Sequence, residues 1–237
     1  MWAEVLKWDE DAGKAKERRR VFCASMGDVF ESHRDASPLR ARLWDVIRRT
    51  RNLDWLLLTK RPENIVDKLP PDWGDGWPHV WLGVSVENQQ WAGTRIGILL
   101  KVPTRVRFVS AEPLLGAVDF TRLGANAVNR NALTGMLDGP VGSTLTRDSL
   151  PGIDWIIVGG ESGYKARIFE LNWAREIVEQ CKAAGVACFV KQLGARPMFD
   201  RDEARIFFQD KKGGDIEEFP EDLRVRQFPK TEVNFNV

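Results

Sequence analysis

The chain has 237 residues, 43% of them apolar and 29% charged, which suits one domain of α/β-barrel size or two small domains and excludes a disordered chain. Its 35 basic and 34 acidic side chains leave a net charge of +1, so no global electrostatic footprint for nucleic acid exists, although a local patch is compatible with it. No run approaches the roughly 18 consecutive apolar residues of a membrane span, the opening MWAEVLKWDEDAGKAKERRR has no signal-peptide core, and the three cysteines, Cys23, Cys181 and Cys188, are too few for a disulfide framework. These features predict a cytoplasmic protein with no membrane partner.

Short apolar runs recur along the chain, each followed by polar residues. Val21–Ala24 leads into Ser25-Met26-Gly27-Asp28. A helix is expected next, with Ser37 as N-cap, Pro38 at N1 and an apolar stripe of Leu39, Leu43, Val46 and Ile47. Trp55–Leu58 then leads into Thr59-Lys60-Arg61-Pro62, and Val80–Val84 into Ser85-Val86-Glu87-Asn88. Asn88 is placed to cap a helix carrying Ile96, Leu99 and Leu100. Val106–Val109 leads into Ser110-Ala111-Glu112-Pro113, Trp155–Val158 into Gly159-Gly160-Glu161-Ser162, and Ala187–Val190 into Lys191-Gln192. Between the last two, Asn172 would cap a helix with Trp173, Ile177, Val178 and Cys181 facing inward and Gly185 stopping it.

Runs that are apolar throughout, without alternation, read as strands of a parallel sheet buried on both faces. Three share an entry pattern, Leu53-Asp54-Trp55, His79-Val80-Trp81 and Ile153-Asp154-Trp155, which is a weak internal repeat. Ten tryptophans against one tyrosine form no single stripe and suit packing. The starts lie about 25 to 50 residues apart, the size of βα units. Because every strand ends in polar residues, and a barrel gathers all its strand ends on one face, the expectation is a TIM-barrel-like partial (β/α) barrel of about six parallel strands over residues 1–194. Residues 122–152, rich in Gly, Asn, Thr and Ser, read as a loop or flap, and residues 195–237 as an appendage containing a small hairpin.

The strand ends supply the candidate chemistry. Adjacent Lys60 and Arg61 suit phosphate or carboxylate, or else a rim salt bridge with Glu63 or another acid. Glu112 and Glu161 suit a base or an amine or ribose contact, or else they neutralise Lys60, Arg61 or Lys191. Gly159 and Gly160 let a ligand approach the backbone. Ser85, Glu87 and Asn88 form another polar end, Ser110 precedes Glu112, Asp28 and Ser25 line the first end, and Lys191 and Gln192 close the last, with Lys191 read as a countercharge in preference to a buried reactive amine. No GxGxxG or GxxxxGK[ST] loop, CxxC or HExxH spacing occurs, and the cysteines read as buried small hydrophobes. His33 and His79 form no catalytic pair.

Taken in order, VFCASMGDVF, DWLLLTKRPEN, VWLGVSVENQ, VRFVSAEPLLG, DWIIVGGESG, FVKQLG and the tail KKGGDIEEFPEDLRVRQFP closely resemble the phage-associated gene-product thirty-seven/sixty-eight family, the three-cysteine-motif proteins, from residue 21 to about 229. The resemblance implies a radical-SAM-like partial or complete barrel with a [4Fe–4S] cluster and S-adenosylmethionine, and places Lys60, Arg61, Glu87, Asn88, Glu112, Gly160 and Glu161 on the cofactor face. It implies no particular reaction. This chain departs from the family in having no compact Cys-x3-Cys-x2-Cys cluster near its first strand, and its opening resembles the stretch that follows such a cluster. The expectation is therefore an N-terminally truncated chain that holds no cofactor and is inactive by itself. The GGE run also comes late compared with radical-SAM enzymes. Two alternatives stand beside this reading: a non-catalytic module that binds a nucleotide, a nucleic acid or a partner protein, and a phosphate-utilising barrel enzyme without iron. If a βα unit is missing, unpaired strand edges would drive self-association.

Overall fold

A computed structural model describes residues 2–23, 27–124, 129–138, 150–199 and 208–231. Six strands form one sheet: β1 (Arg19–Cys23), β2 (Leu53–Thr59), β3 (Val80–Ser85), β4 (Val106–Ala111), β5 (Trp155–Gly159) and β6 (Ala187–Gln192), hydrogen-bonded in that order. Pairing is parallel between β1 and β2, β2 and β3, β4 and β5, and β5 and β6. The expectation of six parallel strands holds. By contacts the chain divides into two compact units, Met1–Val84 with Val102–Val106 and Lys230–Val237, and Ser85–Lys101 with Arg107–Pro229.

In the first unit α1 (Trp2–Ala15) had no sequence assignment. It buries Val5 and Ala12, and Asp9 accepts the Asn52 N–H at 2.7 Å, which ties the helix to the turn before β2. Next, α2 (Ala36–Arg49) begins two residues before Pro38, with Asp35 at its N-cap and no capping side chain. Ser37 is therefore not the cap and Pro38 is not N1. The first turn of a helix has no internal N–H bonds to lose, so proline is tolerated one or two positions further in. Leu43, Val46 and Ile47 are buried as expected, but Leu39 is 64% exposed. Trp44, Trp73 and Trp77 pack ring against ring at 5.7–5.9 Å, and His79 stacks on Trp77. His79 bonds the Ile47 carbonyl at 2.9 Å, and burial lowers its pKa. This is a packed core, the role the tryptophans were expected to have.

In the second unit α3 (Gln89–Leu99) is capped by Asn88, whose Oδ1 accepts the Trp91 N–H at 3.2 Å, and Ile96, Leu99 and Leu100 are buried. The α4 helix (Leu171–Ala184) starts before Asn172, with Glu170 at the N-cap. Asn172 does not cap it; its side chain accepts from Arg175 at 2.9 Å. Gly185 ends the helix at φ 69°, in the left-handed region where glycine alone is unstrained. Ile177, Val178 and Cys181 face the core, while Trp173 is half-buried.

Within 122–152, Asn129–Arg130 pairs antiparallel with Leu137–Asp138 and Leu123, Ala132 and Leu133 are buried, so the described part of the expected loop or flap is packed; 125–128 and 139–149 lie outside the described residues. No hairpin forms among the described residues of 195–231. Pro197–Met198 instead runs parallel to Phe169–Glu170, and residues 225–227 lie against β6. The Val190 N–H donates to the Val225 carbonyl, and the Gln227 N–H to the Cys188 carbonyl, each at 2.8 Å. That part of the β6 edge is thus covered by the chain's own tail, a common way to blunt an edge strand. No helix of the described residues is long and apolar enough to cross a membrane.

Candidate functional site

In the first unit the carboxyl end of β2 is organised by Asp28. Its carboxylate accepts the Thr59 hydroxyl at 2.8 and 2.9 Å, the Phe30 N–H at 2.9 Å and the Lys60 N–H at 3.1 Å. Arg61 joins it at 3.3 Å and reaches Glu31 at 2.9 Å. The rim-salt-bridge reading of Arg61 therefore describes the geometry, with Asp28 and Glu31 as partners instead of Glu63. Lys60 is exposed. Ser25, named with Asp28 as lining this end, lies outside the described residues.

The second unit gathers most of the remaining candidates. Ser110 and Glu112 follow one another at the end of β4. Glu112 accepts the Ser110 hydroxyl at 3.1 Å and sits 3.2 Å from the Lys191 ammonium at the end of β6. Its side chain is 15% exposed, while that of Lys191 is 54% exposed. Lys191 is thus the countercharge the sequence suggested, open to solvent. Gly159 ends β5 directly beneath this pair: a Cβ there would collide with the Glu112 carboxylate. At Gly160 a Cβ would lie 2.6 Å from the Leu193 carbonyl oxygen, so backbone, not a yielding side chain, enforces glycine. The Gln192 amide donates to the Gly160 carbonyl at 2.7 Å and locks the same turn. The Glu112–Pro113 peptide is cis.

Two acids are already committed elsewhere. Glu87 forms a buried ion pair with Arg95 at 2.8 Å, and the same guanidinium nitrogen donates to the Ser85 carbonyl, also at 2.8 Å. Arg95 lies 4.1 Å from the Trp91 ring centroid. Asn88 is occupied as a helix cap. Glu161 takes a two-pronged bond from Arg167 at 2.9 Å for each prong, plus the Arg167 N–H at 2.9 Å. Those bonds hold its pKa down at about 2. Neither Arg95 nor Arg167 was identified from the sequence. Arg95 is eight residues from its partner and Arg167 six, spacings that no local periodicity would flag.

The cysteines occupy the elements expected. Cys23 is half-buried in β1 of the first unit, and burial pushes its thiol up to about 11. In the second unit Cys181 and Cys188 are buried, and a hydrogen bond to Cys188, together with burial, raises the Cys181 thiol strongly. Thiols held protonated are inert. Among the described residues no group of three His, Cys, Asp or Glu side chains is disposed to hold a metal ion. The donor set of the described residues therefore does not fit an iron–sulfur cluster.

Parallel strands whose carboxyl ends carry paired charges and glycine cradles define an α/β protein with a polar strand-end site. Over residues 1–220 the chain matches the model of the family described as Protein of unknown function (DUF5131), and it belongs to that family. No curated protein and no solved structure matches it.

Proposed function

We propose that this chain is a radical-SAM-like domain without its iron–sulfur cluster, a partial (β/α) barrel of phage-associated type, and that, contrary to the expectation that it holds no cofactor, its second unit holds the amino-acid end of S-adenosylmethionine. The observation that carries the reading is the Ser110–Glu112–Lys191 cluster standing on Gly159. A carboxylate and an ammonium side by side at the ends of two parallel strands complement a zwitterion: Glu112 receives the ligand's ammonium, and Lys191 turns to its carboxylate. Glycine at position 159 keeps the space that a methyl group would fill. When bound, the sulfonium would supply an activated carbon–sulfur bond; the residues described here orient its amino-acid portion and carry no step of that chemistry. The barrel reading rests on the sequential strand order, which has no reversal of the kind that marks the switch point of a doubly wound sheet.

The test is isothermal titration of S-adenosylmethionine into the full chain and into Glu112→Gln and Lys191→Met. Binding that falls about tenfold or more in each variant, the scale of one lost charge-assisted hydrogen bond, supports the assignment. Wild-type chain that binds no adenosyl ligand, or variants that bind as wild type, would overturn it.

A further inference from the structure

A second cleft in the same unit, of about 870 Å³, is built from three segments: the loop after β5 (residues 162–166), the loop after β6 (194–197), and residues 208–212. Backbone hydrogen bonds tie its walls together. The Ala195 N–H donates to the Glu161 carbonyl at 2.8 Å, Phe169 to Arg196 at 3.0 Å, and Leu193 to Gly213 at 2.6 Å. The cleft walls are therefore tied to one another by main-chain bonds. Its size falls within the range of about 300–1,000 Å³ typical of clefts that enclose an organic ligand.

Its lining is basic and aromatic. Lys165, Arg196, Lys211 and Lys212 contribute four cations against one acid, Asp210, and among the described residues none of the four stands in an ion pair. The Asp210 carboxylate is consumed locally, accepting the Lys212 N–H at 3.0 Å and the Gly214 N–H at 2.7 Å. A chain with a net charge of only +1 thus concentrates an excess of three positive charges at one spot, four cations against the Asp210 carboxylate. Beside it stands the chain's single tyrosine, Tyr164, fully exposed at 103%, and Phe208 lines the wall. An aromatic ring held wholly in water gains nothing from packing, so its placement among four cations suits a ligand with both a flat face and negative charge.

We propose that this cleft binds single-stranded nucleic acid, with a base stacked on Tyr164 and the adjoining phosphates on Lys165, Arg196, Lys211 and Lys212. Sequence-tolerant single-strand sites combine these two elements, a cationic track and an exposed aromatic platform. A duplex keeps its base faces stacked internally and cannot use the ring. The residues are distinct from the Glu112–Lys191 cluster, so the inference stands or falls separately from the adenosyl reading.

The experiment is fluorescence anisotropy of the full chain with a labelled short oligothymidylate and with a hairpin duplex, across a salt series. The single strand is expected to bind more tightly than the duplex, with a log affinity against log salt slope of about −2 to −3, near −0.7 per neutralised phosphate. The triple variant Lys165→Ala, Lys211→Ala, Lys212→Ala should lower affinity at least about tenfold and flatten the slope by about 2. Tyr164→Ala should lower affinity about 5- to 100-fold with the slope unchanged, and Tyr164→Phe should restore it. All four positions are exposed, so folding is not at stake. No binding at the lowest salt, or binding indifferent to all these changes, overturns the proposal. Equal competition by polyglutamate with Tyr164→Ala silent also overturns it, and reassigns the cleft to acidic peptide.

Discussion

The two ends of the strands treat their carboxylates differently. At the amino end of β2, Asp54 is 4% exposed and receives the Arg18 guanidinium at 2.7 Å. At the amino end of β5, Asp154 accepts the Arg107 N–H at 2.7 Å. Burial raises the pKa of both, against the pull of these partners. At the carboxyl ends, Glu112 and Glu161 pair with cations whose side chains are more than half exposed. Sealed charges are costly and serve to fix the entry of a strand, whereas pairs open to solvent exchange partners at little cost. The amino ends thus read as architecture and the carboxyl ends as places where a ligand can compete for a partner. The Glu87–Arg95 pair shows that the division is not absolute, because it is sealed at a carboxyl end.

Removing the carboxylate in Asp54→Ala is expected to cost the most, about 3 kcal/mol in urea unfolding, because the largely buried Arg18 guanidinium loses its counter-ion and keeps only the Arg51 and Leu53 carbonyls. A loss under about 1 kcal/mol would break the architectural reading of the amino ends. Gly160→Ala should cost about 1–3 kcal/mol, since the Leu193 carbonyl cannot move aside. Gly159→Ala meets only the Glu112 side chain and should lower S-adenosylmethionine affinity more than stability; the reverse order would place the cradle on the wrong glycine. Asp154→Asn retains an acceptor for the Arg107 N–H. A group whose folded pKa is raised favours folding below its unfolded pKa and loses that contribution as pH rises through the folded value. The variant should therefore gain a little stability at neutral pH and lose the gain on acidification.

The smallest effect belongs to Glu161. Its pKa is depressed, so the Arg167 pair contributes above the unfolded carboxylate value and is lost as pH falls toward about 2. Solvent screening keeps that contribution small, below about 1 kcal/mol. Carboxyl chemical shifts should show Glu161 ionised throughout pH 4 to 8; titration near 4.5 would dissolve the pair.

The strands were legible because burial on both faces writes itself as unbroken apolar runs, and the caps at Asn88 and Gly185 were legible because capping is local chemistry. The starts of α2 and α4 were each misplaced by two residues, since any residue of a first turn meets the same lack of N–H partners. Helix α1 carried no readable stripe: only Val5 and Ala12 of its residues are buried.

By itself the sequence determined the six parallel strands, the polar residues at their ends, and the packing role of the buried cysteines, all consequences of local pattern and burial. Tertiary structure alone decided which charge meets which. It paired Glu161 with Arg167, Glu87 with Arg95, Arg61 with Asp28 and Lys191 with Glu112, and among the described residues it left four cations around Tyr164 outside any ion pair. Ion pairing depends on where side chains meet in space, a few ångströms at a time, and no periodicity in the chain encodes it.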